Sequence, residues 1–177
     1  MNSVAKGGGA LAIASVGLLA FLGLWEGDEQ HTVYADSLAG GLPTVCRGLT
    51  RHITDTPIVV GETWTEEQCR LEERKAVEKV QTRLLTCFDE LPSQSVFDAA
   101  TSHAWNFGVG KTCGSDSMKA WNAGQTSVGC LLLFDDGTGK PNWSYVKTAD
   151  GFKFVQGLQN RRRDEFSLCM GYKSSGQ

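Results

Sequence analysis

Three polar side chains near the start of the chain are of the types that glycoside chemistry uses. Glu26 comes first, Asp36 lies ten positions on, and Thr44 eight further, across the turn signal Gly40-Gly41-Leu42-Pro43. Cleaving a sugar–sugar bond with two carboxyl groups takes one protonated group, to give its proton to the leaving oxygen. The other must be ionised, to orient or activate water. Different surroundings split the two pKa values so that both forms coexist. A threonine hydroxyl is a suitable hook for the water. Spacing alone selects neither this trio nor this chemistry, because Asp28 and Glu29 are equally available and acids beside a turn are usually just solvated. His31, His52 and His103 show no metal-ligand spacing, and no CxxC pair occurs, so neither zinc nor any other cofactor is expected.

The elements that must position these groups read as an α+β protein. Residues 26–62 are turn-rich, with β-prone pieces at Thr44-Val45-Cys46 and Pro57-Ile58-Val59-Val60, enough for a sheet of two or three strands. Thr65-Glu66-Glu67-Gln68 is a capping box. A long amphipathic helix should follow to about Leu91, with Val77, Val80, Leu84, Phe88 and Leu91 on one face and Glu72, Lys75, Glu78 and Arg83 solvated on the other. Pro92 ends it. Residues 95–107 form a second helix with Gly108 as its cap, and residues 115–123, 127–134 and 157–170 are further helices. Residues 134–152 read as a loop. The expected architecture is a small sheet-bearing lobe over residues 26–64, a linking helix over 65–91, and a helical lobe over 92–177.

With 177 residues and a net charge of −3, the chain is one domain built as two lobes. Its 21% charged and 41% hydrophobic residues exclude both a disordered chain and a multi-span membrane protein. A mildly acidic balance gives no electrostatic reason to bind nucleic acid.

Residues 7–25 form a separate, uncharged run of 19 residues, Gly- and Ala-rich, between Lys6 and Glu26. As a helix it would measure about 28 Å, just enough for a bilayer core of about 30 Å. Lys6 favours a cytoplasmic N-terminus, with the rest of the chain outside. A cleaved signal, a permanent anchor and a weakly held span that can leave the bilayer all fit this run. Cys46, Cys69, Cys87, Cys113, Cys130 and Cys169 all follow it, which reads as up to three disulfides in an oxidising compartment.

Four motifs in order carry a family resemblance. Trp25-Glu26-Gly27, Tyr34-Ala35-Asp36 and Leu42-Pro43-Thr44-Val45-Cys46-Arg47-Gly48 resemble the catalytic stretch of the phage-type lysozymes, glycoside hydrolase family 24. Trp64-Thr65-Glu66-Glu67-Gln68-Cys69 resembles the start of that family's inter-lobe helix. Trp105-Asn106-Phe107-Gly108 resembles its FNxG element, and Gly157-Leu158, Arg161-Arg162, Glu165 and Leu168-Cys169 its C-terminal helix. The resemblance implies a two-lobed lysozyme-like fold and a muramidase acting on peptidoglycan, with Glu26 as general acid, Asp36 stabilising charge and positioning water, and Thr44 holding that water. It implies inversion, with carboxyls about 6.5–9.5 Å apart. Asn106 would line the sugar cleft or merely cap its helix, and Arg162 would be a structural partner of Glu165 or Glu26. The spacings of ten and eight are each longer than the family's and require a bulge and a longer hairpin, and no His follows the Gly48 position.

The same resemblance gives residues 7–25 a meaning, because they are similar to the signal-arrest-release segment of some phage endolysins. Such a segment tethers the enzyme at the host inner membrane, catalytic domain in the periplasm, until it escapes. Cleavage near Ala35 would delete Glu26, and a span without cysteine has no thiol-exchange route to activation. The expected disulfides are Cys46–Cys69, Cys87–Cys169 and Cys113–Cys130. A monomer is expected. A lytic transglycosylase and a non-catalytic, membrane-anchored wall-binding module are the alternatives.

Overall fold

The computed structural model describes residues 10–25, 30–37 and 40–172. Strands β1 (Gln30–Asp36), β2 (Leu42–Cys46) and β3 (Leu49–Thr50) form an antiparallel sheet in the order β1-β2-β3. Gly40 and Gly41, with φ of 67° and 83°, take the left-handed backbone that lets the first hairpin close, and Gly41 N–H donates to the Asp36 carbonyl at 2.7 Å. Gln30 pairs with Cys46 and Tyr34 with Thr44, so four steps along β1 match two along β2. That irregularity is the bulge the long spacing requires. Val33, Val45 and Leu49 bury one side of the sheet against Trp64 and Ala76. The β-prone residues 57–60 make no strand, and Val59 and Val60 are exposed. The backbone just after them meets β1 instead, as Val33 N–H donates to Glu62 O, Gly61 N–H to Val33 O and Trp64 N–H to His31 O.

Helix α2 (Glu66–Leu85) starts where the capping box places it, with the Thr65 hydroxyl accepting from Gln68 N–H at 3.1 Å. It stops six residues short of Leu91. The Asn122 side chain takes over the backbone there, donating to Cys87 O at 2.9 Å and accepting from Asp89 N–H at 3.2 Å. One residue of the expected solvated face is buried: Glu72 accepts from Thr54 Oγ1 at 2.7 Å and pairs with Lys75 at 2.8 Å. Helix α3 (Gln94–Phe107) runs through the centre of the helices that follow α2, with every residue from Val96 to Ala104 buried. Around it lie α4 (Val109–Cys113), α5 (Asp116–Asn122), α6 (Thr126–Leu131) and α7 (Gln156–Cys169). Between α6 and α7, where a loop was expected, β4 (Tyr145–Thr148) and β5 (Gly151–Phe154) form a two-stranded ribbon.

The disulfides are Cys46–Cys69, Cys87–Cys113 and Cys130–Cys169. The expected pairs Cys87–Cys169 and Cys113–Cys130 do not form. Helix α4 packs on α2 and α3, whereas α6 packs on α5 and α7. Cys113 is thereby brought to Cys87 with Cα atoms 5.5 Å apart, and Cys130 to Cys169 at 5.6 Å, within the reach of a bridge.

The N-terminal run is described from residue 10 onward. Its described part holds helix α1 (Val16–Trp25), ten residues and about 15 Å long. Among the described residues no helix is long and apolar enough to cross a membrane. Instead Ala14, Leu18 and Leu22 pack against Val77, and Phe21 is buried as well. The chain leading into α1 is held by polar side chains of α2 and α3. Gln94 both accepts from Ala12 N–H at 2.7 Å and donates to Ala12 O at 3.1 Å. The fully buried Gln81 accepts from Ala14 N–H at 2.7 Å, and Asp98 accepts from the Ser15 hydroxyl at 2.8 Å.

Candidate active site

Asp36 ends β1 at the mouth of the Gly40-Gly41 hairpin, and Thr44 sits in the middle of β2. Tyr34 pairs with Thr44 and Asp36 with Leu42. Strand alternation therefore puts Asp36 and Thr44 on the same face as diagonal neighbours, typically about 7–8 Å apart. Thr44 is almost wholly buried, and its hydroxyl donates to Leu42 O at 3.0 Å. With its one proton committed, the oxygen keeps lone pairs to accept a hydrogen from water. Asp36 is half-buried. Glu26 lies outside the described residues, as does the carboxyl–carboxyl separation; in sequence Glu26 directly follows Trp25, the last residue of α1.

A cavity of about 190 Å³ opens beside that end of α1, between Leu22 and Gly23, Arg47, and Glu73 and Val77 of α2. Arg47 is anchored there by its backbone N–H to Glu73 Oε1 at 3.2 Å and by its guanidinium to Glu73 Oε2 at 3.3 Å. The cavity thus sits where α1, the turn after β2 and α2 meet, and neither Asp36 nor Thr44 lines it.

Asn106 stands exposed in the last turn of α3, with its Oδ1 accepting from Arg162 Nη1 at 3.2 Å. Arg162 is fully buried, pairs with Glu165 at 2.6 Å and lies 4.8 Å over the Phe107 ring. Ser102 donates to the same Glu165 oxygen at 2.7 Å, and Arg161 pairs with it at 3.5 Å. The i,i+3 and i,i+4 spacing of Arg162 and Arg161 to Glu165 is visible in the sequence. The part played by Ser102, from a distant helix, is not.

His103 sits beside this cluster, its Nδ1 2.9 Å from Thr112 Oγ1 and its ring edge-on to Trp143. Burial, and then the charges of Arg162 and Arg161, hold its pKa well below the ordinary histidine value. The folded state therefore keeps the ring neutral, while the unfolded chain takes a proton near pH 6.5. Stability is fully present above about pH 6.5 and falls below it, by up to about 1.4 kcal/mol per pH unit. Melting temperatures measured from pH 7.5 down to 5 should show this slope, and His103→Gln should flatten it whatever its own stability. A parent-like slope in that variant would assign the effect elsewhere.

The family model for phage lysozyme matches residues 24–165. The chain belongs to the phage lysozyme family. A protein named SAR-endolysin, from Enterobacteria phage P21, is 28% identical over 170 residues, covering 95% of this chain and 92% of its own. The solved endolysin of Escherichia coli O157:H7 phage FAHEc1 superimposes with a TM-score of 0.72 at 26% identity, covering 95% of this chain and 97% of its own. The muramidase domain of SpmX from Asticaccaulis excentricus gives 0.75 at 19% identity over 91% of this chain and 99% of that domain, a likeness of fold. The helices and small antiparallel sheets of this family member form a lysozyme-like α+β fold.

Proposed function

We propose that this chain is an endolysin that hydrolyses the β-1,4 bond between N-acetylmuramic acid and N-acetylglucosamine in peptidoglycan and so lyses the host cell. The observation that carries the reading is the register that sets Asp36 and Thr44 on one sheet face, within a family match that also takes in Glu26. Glu26 gives its proton to the glycosidic oxygen as the bond breaks. Thr44 accepts a hydrogen bond from water, and Asp36 orients that water and balances the positive charge developing on the sugar ring. Water attacks the face opposite the departing oxygen, so the anomeric centre inverts. Asn106, held by Arg162, meets the sugars from the helical lobe.

Residues 7–25 first lie in the host inner membrane, N-terminus in the cytoplasm and domain in the periplasm. On leaving the bilayer, part of the run becomes α1, and Gln81, Gln94 and Asp98 take up its backbone and Ser15. Docking α1 then delivers Glu26 to the sheet. The relative named as a SAR-endolysin supports this cycle.

Mass spectrometry of the fragments released from purified sacculi tests the reaction. Hydrolysis leaves reducing N-acetylmuramic acid ends. Ends in the 1,6-anhydro form would mean a transglycosylase, and binding without soluble fragments would mean a wall-binding module.

A further inference from the structure

The β4–β5 ribbon carries an aromatic face turned to water. Tyr145 pairs with Phe154, their rings 5.7 Å apart, and Lys147 pairs with Phe152. Strand alternation puts these four side chains on one side of the ribbon. Phe152 is 76% exposed and Tyr145 42%. A contiguous apolar patch of this kind on a small protein marks a binding surface.

Tyr145 and Phe152, with Phe107, Trp143 and Lys111, line an open groove of about 510 Å³. That groove lies next to Asn106 in the chain. Phe107 follows Asn106 in α3, and one buried guanidinium, Arg162, both covers the Phe107 ring and donates to Asn106. Its chemistry is mixed: aromatic walls with Lys111 inside and Lys147 on the same ribbon face. Flat aromatic rings suit the apolar C–H faces of pyranose sugars. Ammonium groups beside them suit carboxylates carried on the same polymer.

We propose that this groove is an accessory subsite for the murein strand, holding sugars beyond the bond being cut, with Lys111 and Lys147 taking carboxylates of the attached peptide stems. It rests on peptidoglycan being the substrate. The link through Arg162 to Asn106 favours an anionic glycan over a lipid surface. Affinity for the wall then comes from the ribbon, and chemistry from the residues around the sheet.

The test is co-sedimentation of the full-length chain with purified sacculi. It is done on a Glu26→Gln background so that the strands stay intact. Adding Phe152→Ala should weaken binding about five- to tenfold, the scale of one aromatic stacking contact. Val146→Ala, on the opposite face of the ribbon, should bind as the background protein does. Phe152 is exposed, so folding is spared, and circular dichroism checks this. Equal sacculus affinity with and without Phe152 overturns the proposal. So does a Phe152→Ala defect confined to phosphatidylglycerol vesicles, which would make the ribbon a membrane contact. Failure of the hydrolase reading shows up separately, as absence of released fragments from the parent protein while Phe152-dependent binding persists.

Discussion

Glu26→Gln should leave a protein that binds sacculi and clears them at least about a hundredfold more slowly, and as much as ten-thousandfold. The amide keeps the size and much of the hydrogen bonding of the acid but has no acidic proton to give. A departing sugar oxygen without that proton is a strongly basic leaving group, and neither Asp36 nor Thr44 can supply the deficit. Asp36 must be ionised to handle water, and the Thr44 proton is already committed to Leu42 O. Turbidity loss of a sacculus suspension gives the rate, and co-sedimentation shows that the wall is still bound. Clearing at the parent rate would remove Glu26 from the mechanism, and Asp28 and Glu29 would be the next acids to test.

Removal of residues 1–25 should not produce a permanently active soluble enzyme; it should produce a poorly folded one. A simple tether would be dispensable once the protein is in the periplasm. Here Leu18, Phe21 and Leu22 are buried on the domain, and each such side chain contributes about 1.5–3 kcal/mol. Without residues 1–25 the hydrogen bond from Ala14 N–H to Gln81 is lost as well, about 0.5–1.5 kcal/mol. Against a total stability of about 5–15 kcal/mol these losses are large. The truncated protein should melt at least about 10 °C lower than the full chain and clear sacculi poorly. Gln81→Leu in the full chain separates docking from insertion, because it leaves residues 7–25 untouched. It should lower the melting temperature while membrane association stays as in the parent. A truncated protein with the parent's stability and activity would refute the docking role.

Local chemistry was legible, and distant partners were not. The Thr65 cap and the Gly108 terminus act within four residues of themselves, and α2 starts and α3 ends there. The extra residues between Glu26 and Thr44 called for a bulge and a longer hairpin, and the register shift and the Gly40-Gly41 turn supply them. The end of α2 at Leu85 depends on Asn122, far along the chain, so no nearby residue announces it. Glu72 and Gln81 look like solvent-facing letters on an amphipathic helix, yet each is buried against a partner from another segment. The N-terminal run is the sharpest case. Its composition suits lipid and a protein groove equally well, and only the polar clip of Gln81, Gln94 and Asp98 distinguishes them. For the site, turn and strand signals put Thr44 on the small sheet, but the strands they named did not include β1, which carries Asp36. The Arg162–Glu165–Ser102 support beneath Asn106 required the packed helices.

The three covalent bridges join the first cysteine to the second, the third to the fourth and the fifth to the sixth. No loop encloses or crosses another. A polypeptide threaded through a translocation pore in order presents each thiol just ahead of its native mate. Oxidation on arrival then yields the correct linkage from the order of emergence, and reshuffling of mispaired intermediates is not required.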